Sequence, residues 1–365
     1  MPAGAMRTRA IEGVNGLRMK ILEAGHERRD APCVLLLHGF PELGYSWRGV
    51  IPPLAHAGYH VVAPDQRGYG GTTGWDPDYD GDLDSFRMLN LVEDALALLA
   101  ALGKRSVAAV IGHDFGAPVA AYCALTRPDV FRAVALMSAP FRGAPKEPFD
   151  WEALQRDLSA LRPPRKHYQL YYSTREANAN LWKCPQGVHA FLRAYYHYKS
   201  ADAAGSRPHR LAEVSADELA KLPFYYVMER DKGMAETVAP HMPDPERIAA
   251  CRWMPERDLS VYAAEFQRTG FQGGLQWYRC ATSRRHAEEL GVLAGRTIDV
   301  PSCFIAGAAD WGVYQRPHDF ERMQDTVCTR MLGVHLVEGA GHWVQQEQPA
   351  EVSRLLLEFL RAAGS

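Results

Sequence analysis

The chain has 365 residues, 47% of them hydrophobic, which suffices for one large core or for a core with a single appended unit. Lys and Arg number 41 against 43 Asp and Glu, a formal charge of −2 without a long basic run, which argues against nucleic acid and anionic membrane as partners. The seven cysteines form no C-x-x-C pair, residues 1–25 hold no continuous apolar leader segment, and no stretch of about 18 apolar residues occurs, so a cytoplasmic protein without membrane insertion is expected.

In chain order, Arg7 to Val14 and Leu17 to Glu23, split by Asn15-Gly16, predict a hairpin. Val34 to Leu37 reads as a buried strand and is followed by His38-Gly39-Phe40-Pro41. Ser46 to His56 reads as a helix, Tyr59 to Ala63 as a strand, and Met88 to Leu102 as a long helix. Next comes the β-branched run Val107 to Ile111, then Gly112-His113-Asp114-Phe115-Gly116, then an Ala-rich helix from Ala117 to Leu125 with Pro118 in its first turn. Phe131 to Met137 predicts another strand. Strands alternating with helices imply a mostly parallel sheet covered on both faces.

From Phe141 to about Gly295 the alternation stops, and helical patterns broken by prolines carry many tyrosines. A connection that long needs structure of its own, so an inserted helical domain is expected at residues 141–295, between core segments 1–140 and 296–365. Strands resume at Pro301 to Ala306 and Val334 to Val337, and Ala350 to Ala362 reads as a closing amphipathic helix.

Gly112 and Gly116 frame Asp114 as glycines frame the serine of the nucleophile elbow G-x-S-x-G, where a crowded turn leaves no room for a Cβ. Ligands of open α/β sheets sit beyond the carboxyl ends of the strands, and there this chain places His38, Asp114, Asp310 and His342. Nucleophile, acid and histidine follow in the order of α/β-hydrolase triads. Each has a structural competitor: Asp114 as a helix cap, His342 as an ordinary loop histidine, and Asp310 as a turn cap, with Glu338 the reserve acid. His113 and His335 read as structural, and Asp65 and Arg67 as turn residues.

The motifs His38-Gly39-Phe40-Pro41-Glu42 with Trp47, Gly112 to Gly116, His167 to Tyr171, Gly270 to Arg279, and Gly341-His342-Trp343 resemble those of α/β-hydrolase-fold epoxide hydrolases, over nearly the whole chain. The resemblance implies an α/β-hydrolase fold with a helical cap, a small-molecule epoxide as substrate, no cofactor or metal, and a monomer or homodimer. It makes Asp114 the nucleophile, His342 the base and Asp310 its orienting acid. Two cap tyrosines, by motif position Tyr168 and Tyr278, would hold the epoxide oxygen, with Tyr171, Tyr172 and Tyr262 as competitors. The backbone N–H groups of Phe40 and Phe115 would form the oxyanion hole, and His38, Pro41 and Trp47 would line the substrate pocket.

Chemistry supports the transfer. A serine attacking an epoxide carbon would leave an ether, whereas an aspartate leaves an ester that water cleaves. A phenol with an ordinary pKa near 10 stays protonated at neutral pH and can serve the departing alkoxide. The family usually carries Trp after the nucleophile, and here Phe115 stands instead. In haloalkane dehalogenases, which share the Asp nucleophile, that indole helps to hold the halide, so its loss counts against this rival. A low-turnover binding protein, the rival from another class, has no need of Asp114, Asp310 and His342 together.

Overall fold

The computed structural model describes residues 5–28, 30–203 and 205–364; residues 1–4 of the segment read for a leader lie outside them. The hairpin forms as expected, β1 (Arg7–Val14) against β2 (Leu17–Ala24), with Asn15 and Gly16 both at positive φ, as a two-residue turn of this kind requires. β3 (Cys33–Leu37), β4 (His60–Pro64), β5 (Ala109–His113) and β6 (Val134–Met137) follow. After a long excursion, which contains the short strands β7 (Arg165–His167) and β8 (Val227–Glu229), β9 (Ser302–Gly307) and β10 (Met331–Val337) complete the main sheet. Its order is β1-β2-β4-β3-β5-β6-β9-β10, antiparallel at β1-β2 and β2-β4 and parallel elsewhere.

Side-chain alternation along the strands sorts the core into two layers. Val34, Leu36, Ala109 and Ile111 face α1 (Ile51–His56) and the final helix Pro349–Gly364. Leu35, Leu37, Val110 and Leu136 face α2 (Met88–Ala101) and α3 (Gly116–Thr126). Both faces are therefore covered, as a parallel sheet demands.

Several boundaries differ from the sequence reading: β6 starts at Val134 rather than Phe131, and β10 at Met331 rather than Val334. The helix expected from Ser46 to His56 divides into a 3₁₀ turn, Gly44–Trp47, and α1, because Pro52 and Pro53 are tolerated only in the first turn of a helix. The elbow strand starts at Ala109 and reaches His113, since Gly112 and His113 still pair with Leu136 and Met137.

Between β6 and β9 the chain is mainly helical, beginning with α4 (Trp151–Ala160), α5 (Tyr168–Tyr172), α6 (Arg175–Trp182) and α7 (Gly187–Lys199). The antiparallel pair β7-β8 was not legible in the sequence, since each strand has only three residues and β7 opens on Arg165-Lys166. Among the described residues no helix is long and apolar enough to cross a membrane.

Candidate active site

β5 ends at His113 and α3 starts at Gly116, so the chain reverses over two residues. Asp114 takes the left-handed conformation with φ 51°, which costs an L-residue on the order of 1 kcal/mol or more and lifts its carboxylate out of the turn. A Cβ on Gly112 would lie 2.0 Å from the Gly116 carbonyl oxygen, and one on Gly116 2.3 Å from that of Leu37. Gly39 is just as confined, because a Cβ there would stand 2.4 Å from Asp114 Oδ1. Strand, turn and neighbouring loop thus close around one carboxylate.

His342 Nε2 lies 3.1 Å from Asp114 Oδ2, and its Nδ1 lies 3.1 Å from both oxygens of Asp310. Asp310 Oδ1 also accepts the Gly312 N–H at 2.7 Å, which fixes the carboxylate. The Phe40 N–H donates to Asp114 Oδ1 at 2.9 Å, whereas the Phe115 N–H, at the cap of α3, makes no bond to that carboxylate. Burial opposes charge on Asp114, and the hydrogen bond and charge of His342 outweigh it, holding the carboxyl well below the usual carboxylate range. Asp310 is lowered as well, against its burial, by the charge and hydrogen bond of His342.

His113, read as structural, connects two parts of the site. Its Nε2 faces the His342 carbonyl oxygen at 2.7 Å and its Nδ1 faces Glu42 Oε2 at 2.6 Å. A carbonyl oxygen only accepts, so Nε2 carries a proton. Burial disfavours charge on both partners, yet their mutual attraction raises His113 and lowers Glu42 from their ordinary values. Glu42 further accepts the Gly39 N–H at 3.0 Å and the side-chain amides of Gln345 and Gln346 at 3.0 and 3.1 Å. Sequence reasoning missed this role for Glu42, although its place after His38-Gly39-Phe40-Pro41 was a signal.

Two further residues escaped notice. Glu347 accepts the N–H groups of Gly341 (2.9 Å), Trp343 (2.9 Å) and Ala201 (2.8 Å), holding the residues on either side of His342. Lys199, at the end of α7, accepts the His342 N–H on its carbonyl oxygen at 2.8 Å, and its buried ammonium stands among Tyr195, Tyr225, Tyr226 and Trp343.

A cavity of about 750 Å³ runs from Asp114 beneath the helical excursion. Of the five tyrosines considered, Tyr168 and Tyr278 line it, with ring centroids 5.9 Å apart. Tyr171, Tyr172 and Tyr262 do not: Tyr171 donates to Asn180 Oδ1 at 2.6 Å and Tyr262 bonds Ser46 and Gln346. The Tyr168 hydroxyl accepts from Gln169 Nε2 and donates to Gln315 Oε1, both at 3.2 Å. Burial first, and then the charge of Asp114, pushes both phenols above their ordinary range, so they hold their protons at neutral pH.

The three residues expected to line the pocket are corrected, since none is on the cavity wall. Trp47 packs with Val50, Ile51 and Leu54 in the layer under α1, because the 3₁₀ turn that carries it docks on that face. His38 is buried between the Gly39 carbonyl oxygen at 2.8 Å and the Gln66 N–H at 3.0 Å, and it ties two loops together. Pro41, after a cis bond, accepts the Tyr196 hydroxyl on its carbonyl oxygen at 2.8 Å. Among the described residues no cluster of three His, Cys, Asp or Glu could hold a metal ion.

A mostly parallel sheet with Asp114, Asp310 and His342 gathered at its strand ends has the arrangement of an α/β-hydrolase core, and residues 32–187 match the family model described as alpha/beta hydrolase fold. Epoxide hydrolase A of Mycobacterium tuberculosis is 36% identical, covering 98% of both chains, and the epoxide hydrolase of Caballeronia sordidicola is 32% identical, covering 96% of this chain and 93% of its own. Among solved structures, an epoxide hydrolase from an endophytic Streptomyces superposes with a TM-score of 0.79 at 32% identity, covering 99% of this chain and 96% of its own. Epoxide hydrolase A from Mycobacterium thermoresistibile gives 0.76 at 36% identity, covering 98% of each. The chain belongs to the epoxide hydrolase family.

Proposed function

We propose that this hydrolase opens a small-molecule epoxide to a vicinal diol through an ester on Asp114, with residues 141–295 as a cap over the reacting atoms. The observation that carries the reading is an aspartate in the nucleophile elbow, 3.1 Å from a histidine base, at the end of a cavity walled by Tyr168 and Tyr278.

Asp114 Oδ2 forms a bond to an epoxide carbon, and the carbon–oxygen bond of the ring breaks toward the oxygen. Tyr278 or Tyr168 supplies the proton that this oxygen takes up. Once esterified, Asp114 has lost its charge, and His342 Nε2 can remove a proton from water while Asp310 holds the imidazole in place. The water oxygen adds to Asp114 Cγ, and the negative charge that develops on Oδ1 meets the Phe40 N–H. The bond from Cγ to Oδ2 then breaks, the diol leaves with that oxygen and the proton from His342, and the proton left on the new Asp114 carboxyl returns to the tyrosinate, which restores both groups.

Single-turnover reaction in water labelled with heavy oxygen tests the route. The label should enter Asp114 and reach the diol only in later turnovers, whereas label in the first diol would exclude the ester.

A further inference from the structure

The cavity wall carries a pair of charges that ring opening does not use. Arg142 and Arg316 both line it. Arg316 follows Gln315, the acceptor of the Tyr168 hydroxyl; its Nη2 donates to Gln169 Oε1 at 3.1 Å, and its guanidinium stands 5.5 Å from the Trp151 ring and 5.9 Å from the Phe149 ring. Among the described residues neither guanidinium has a carboxylate within 4.0 Å, whereas Arg48 pairs with Asp258, Arg67 with Asp94 and Arg193 with Glu256. Arg316 is half-buried, and Arg142 is close enough for its charge to work against that of Arg316. Two like charges on a sheltered wall, neither of them in an ion pair, call for an anion.

The acidic residues of the same cavity do not fill that place. Glu147, Asp150 and Glu152 are exposed, and Asp150 is engaged in capping α4 through the Ala153 N–H at 2.8 Å. Asp319, half-buried, also lines the cavity. It makes no ion pair with either arginine, and burial holds it above its ordinary range despite their charges.

We propose that Arg142 and Arg316 anchor the anionic end of the substrate, so that the favoured epoxides carry a carboxylate a few bonds from the ring. The spacer follows from Gln169, whose single carboxamide spans the Tyr168 hydroxyl and Arg316, at 3.2 and 3.1 Å. A carboxylate on the guanidinium therefore lies one amide beyond the oxygen that Tyr168 would hold. The inference rests on the hydrolase reading above, and it names the substrate class of that site.

The test compares diol formation by the full chain from the terminal epoxide of hexanoic acid, from the primary amide of that acid, and from styrene oxide. The acid should exceed its amide by roughly tenfold in kcat/KM, since charge-assisted hydrogen bonds are about twice as strong as neutral ones. Added salt should shrink the ratio. Arg142→Gln and Arg316→Gln should each bring it toward parity, while Arg142→Lys, which keeps the charge, retains most of it. The ratio is internal to each protein, so a variant that folds poorly lowers both rates without moving it. An acid and amide opened equally by the unmodified chain, or a preference that survives both Gln substitutions, overturns the anchor. If none of the three epoxides gives diol, the hydrolase reading fails and the anchor with it; if amide and styrene oxide are opened as readily as the acid, the anchor alone fails.

Discussion

His342 is held at both ring nitrogens by carboxylates, and the proposed route consumes only one of them, Asp114, in forming the ester. The first half-reaction therefore needs the carboxylate and a phenol, and the second needs the imidazole. His342→Gln should alkylate and then stall, leaving the ester visible as a mass increase on the peptide containing Asp114. Tyr278→Phe should slow the alkylation burst by roughly a hundredfold, because general acids contribute about that much or more. An unchanged burst would move the acid role to Tyr168, whose hydroxyl is already bonded to Gln315 and must turn to reach substrate.

At the scale of elements, the loop after β10 is fastened to the excursion rather than to the core alone. His342 N–H bonds Lys199, Trp343 Nε1 bonds the Tyr196 carbonyl oxygen at 2.9 Å, and Glu347 joins Gly341 and Trp343 to Ala201. A Cβ on Gly341 would meet the Ser200 carbonyl carbon at 2.5 Å, so the two backbones are in direct contact. Burial pushes the Glu347 carboxyl up to about 8 against the pull of three N–H donors, and its oxygens have no other task than to accept them. Glu347→Gln would turn an amide NH₂ toward N–H groups. The expected outcome is ester hydrolysis slower by roughly tenfold, because one buried N–H loses its acceptor and faces another donor, with alkylation unchanged. Rapid-mixing kinetics would show this as accumulated ester and a joint fall of kcat and KM; equal slowing of both half-reactions would mean a general loss of structure.

Over the whole molecule, acid stability has an identifiable contributor at the antiparallel edge of the sheet. Glu23, fully buried on β2, accepts from Arg7 Nε at 2.8 Å, pairs with Arg9 at 2.8 Å and meets His60 Nε2 of β4 at 2.8 Å. Burial alone would raise its carboxyl, but the bonds to His60 and Arg7 and the charge of Arg9 bring it down to about 2. A lowered folded-state value means that the group stabilises the fold above the ordinary glutamate range, and that this contribution disappears as pH falls toward about 2. Glu23→Gln should cost about 2 kcal/mol at neutral pH in denaturant unfolding, and the gap between the two proteins should close below pH 4 or so.

The sequence by itself determined the features that depend on neighbours along the chain. Gly112 and Gly116 are forced by sterics within one turn, β-branched runs bounded by glycine and proline define the strands, and the aspartate at the elbow states which ester can form. Tertiary structure decided what depends on contact between distant segments. His342 reaches Asp114 across 228 residues and Gln346 reaches Glu42 across 304. Which tyrosines face the cavity, why Trp47 is not among its walls, and where two arginines line one cavity without an ion pair are matters of packing direction. A side chain's periodicity tells which face of its own element it occupies; what that face meets is settled only when the sheet and the helices above it close on one another.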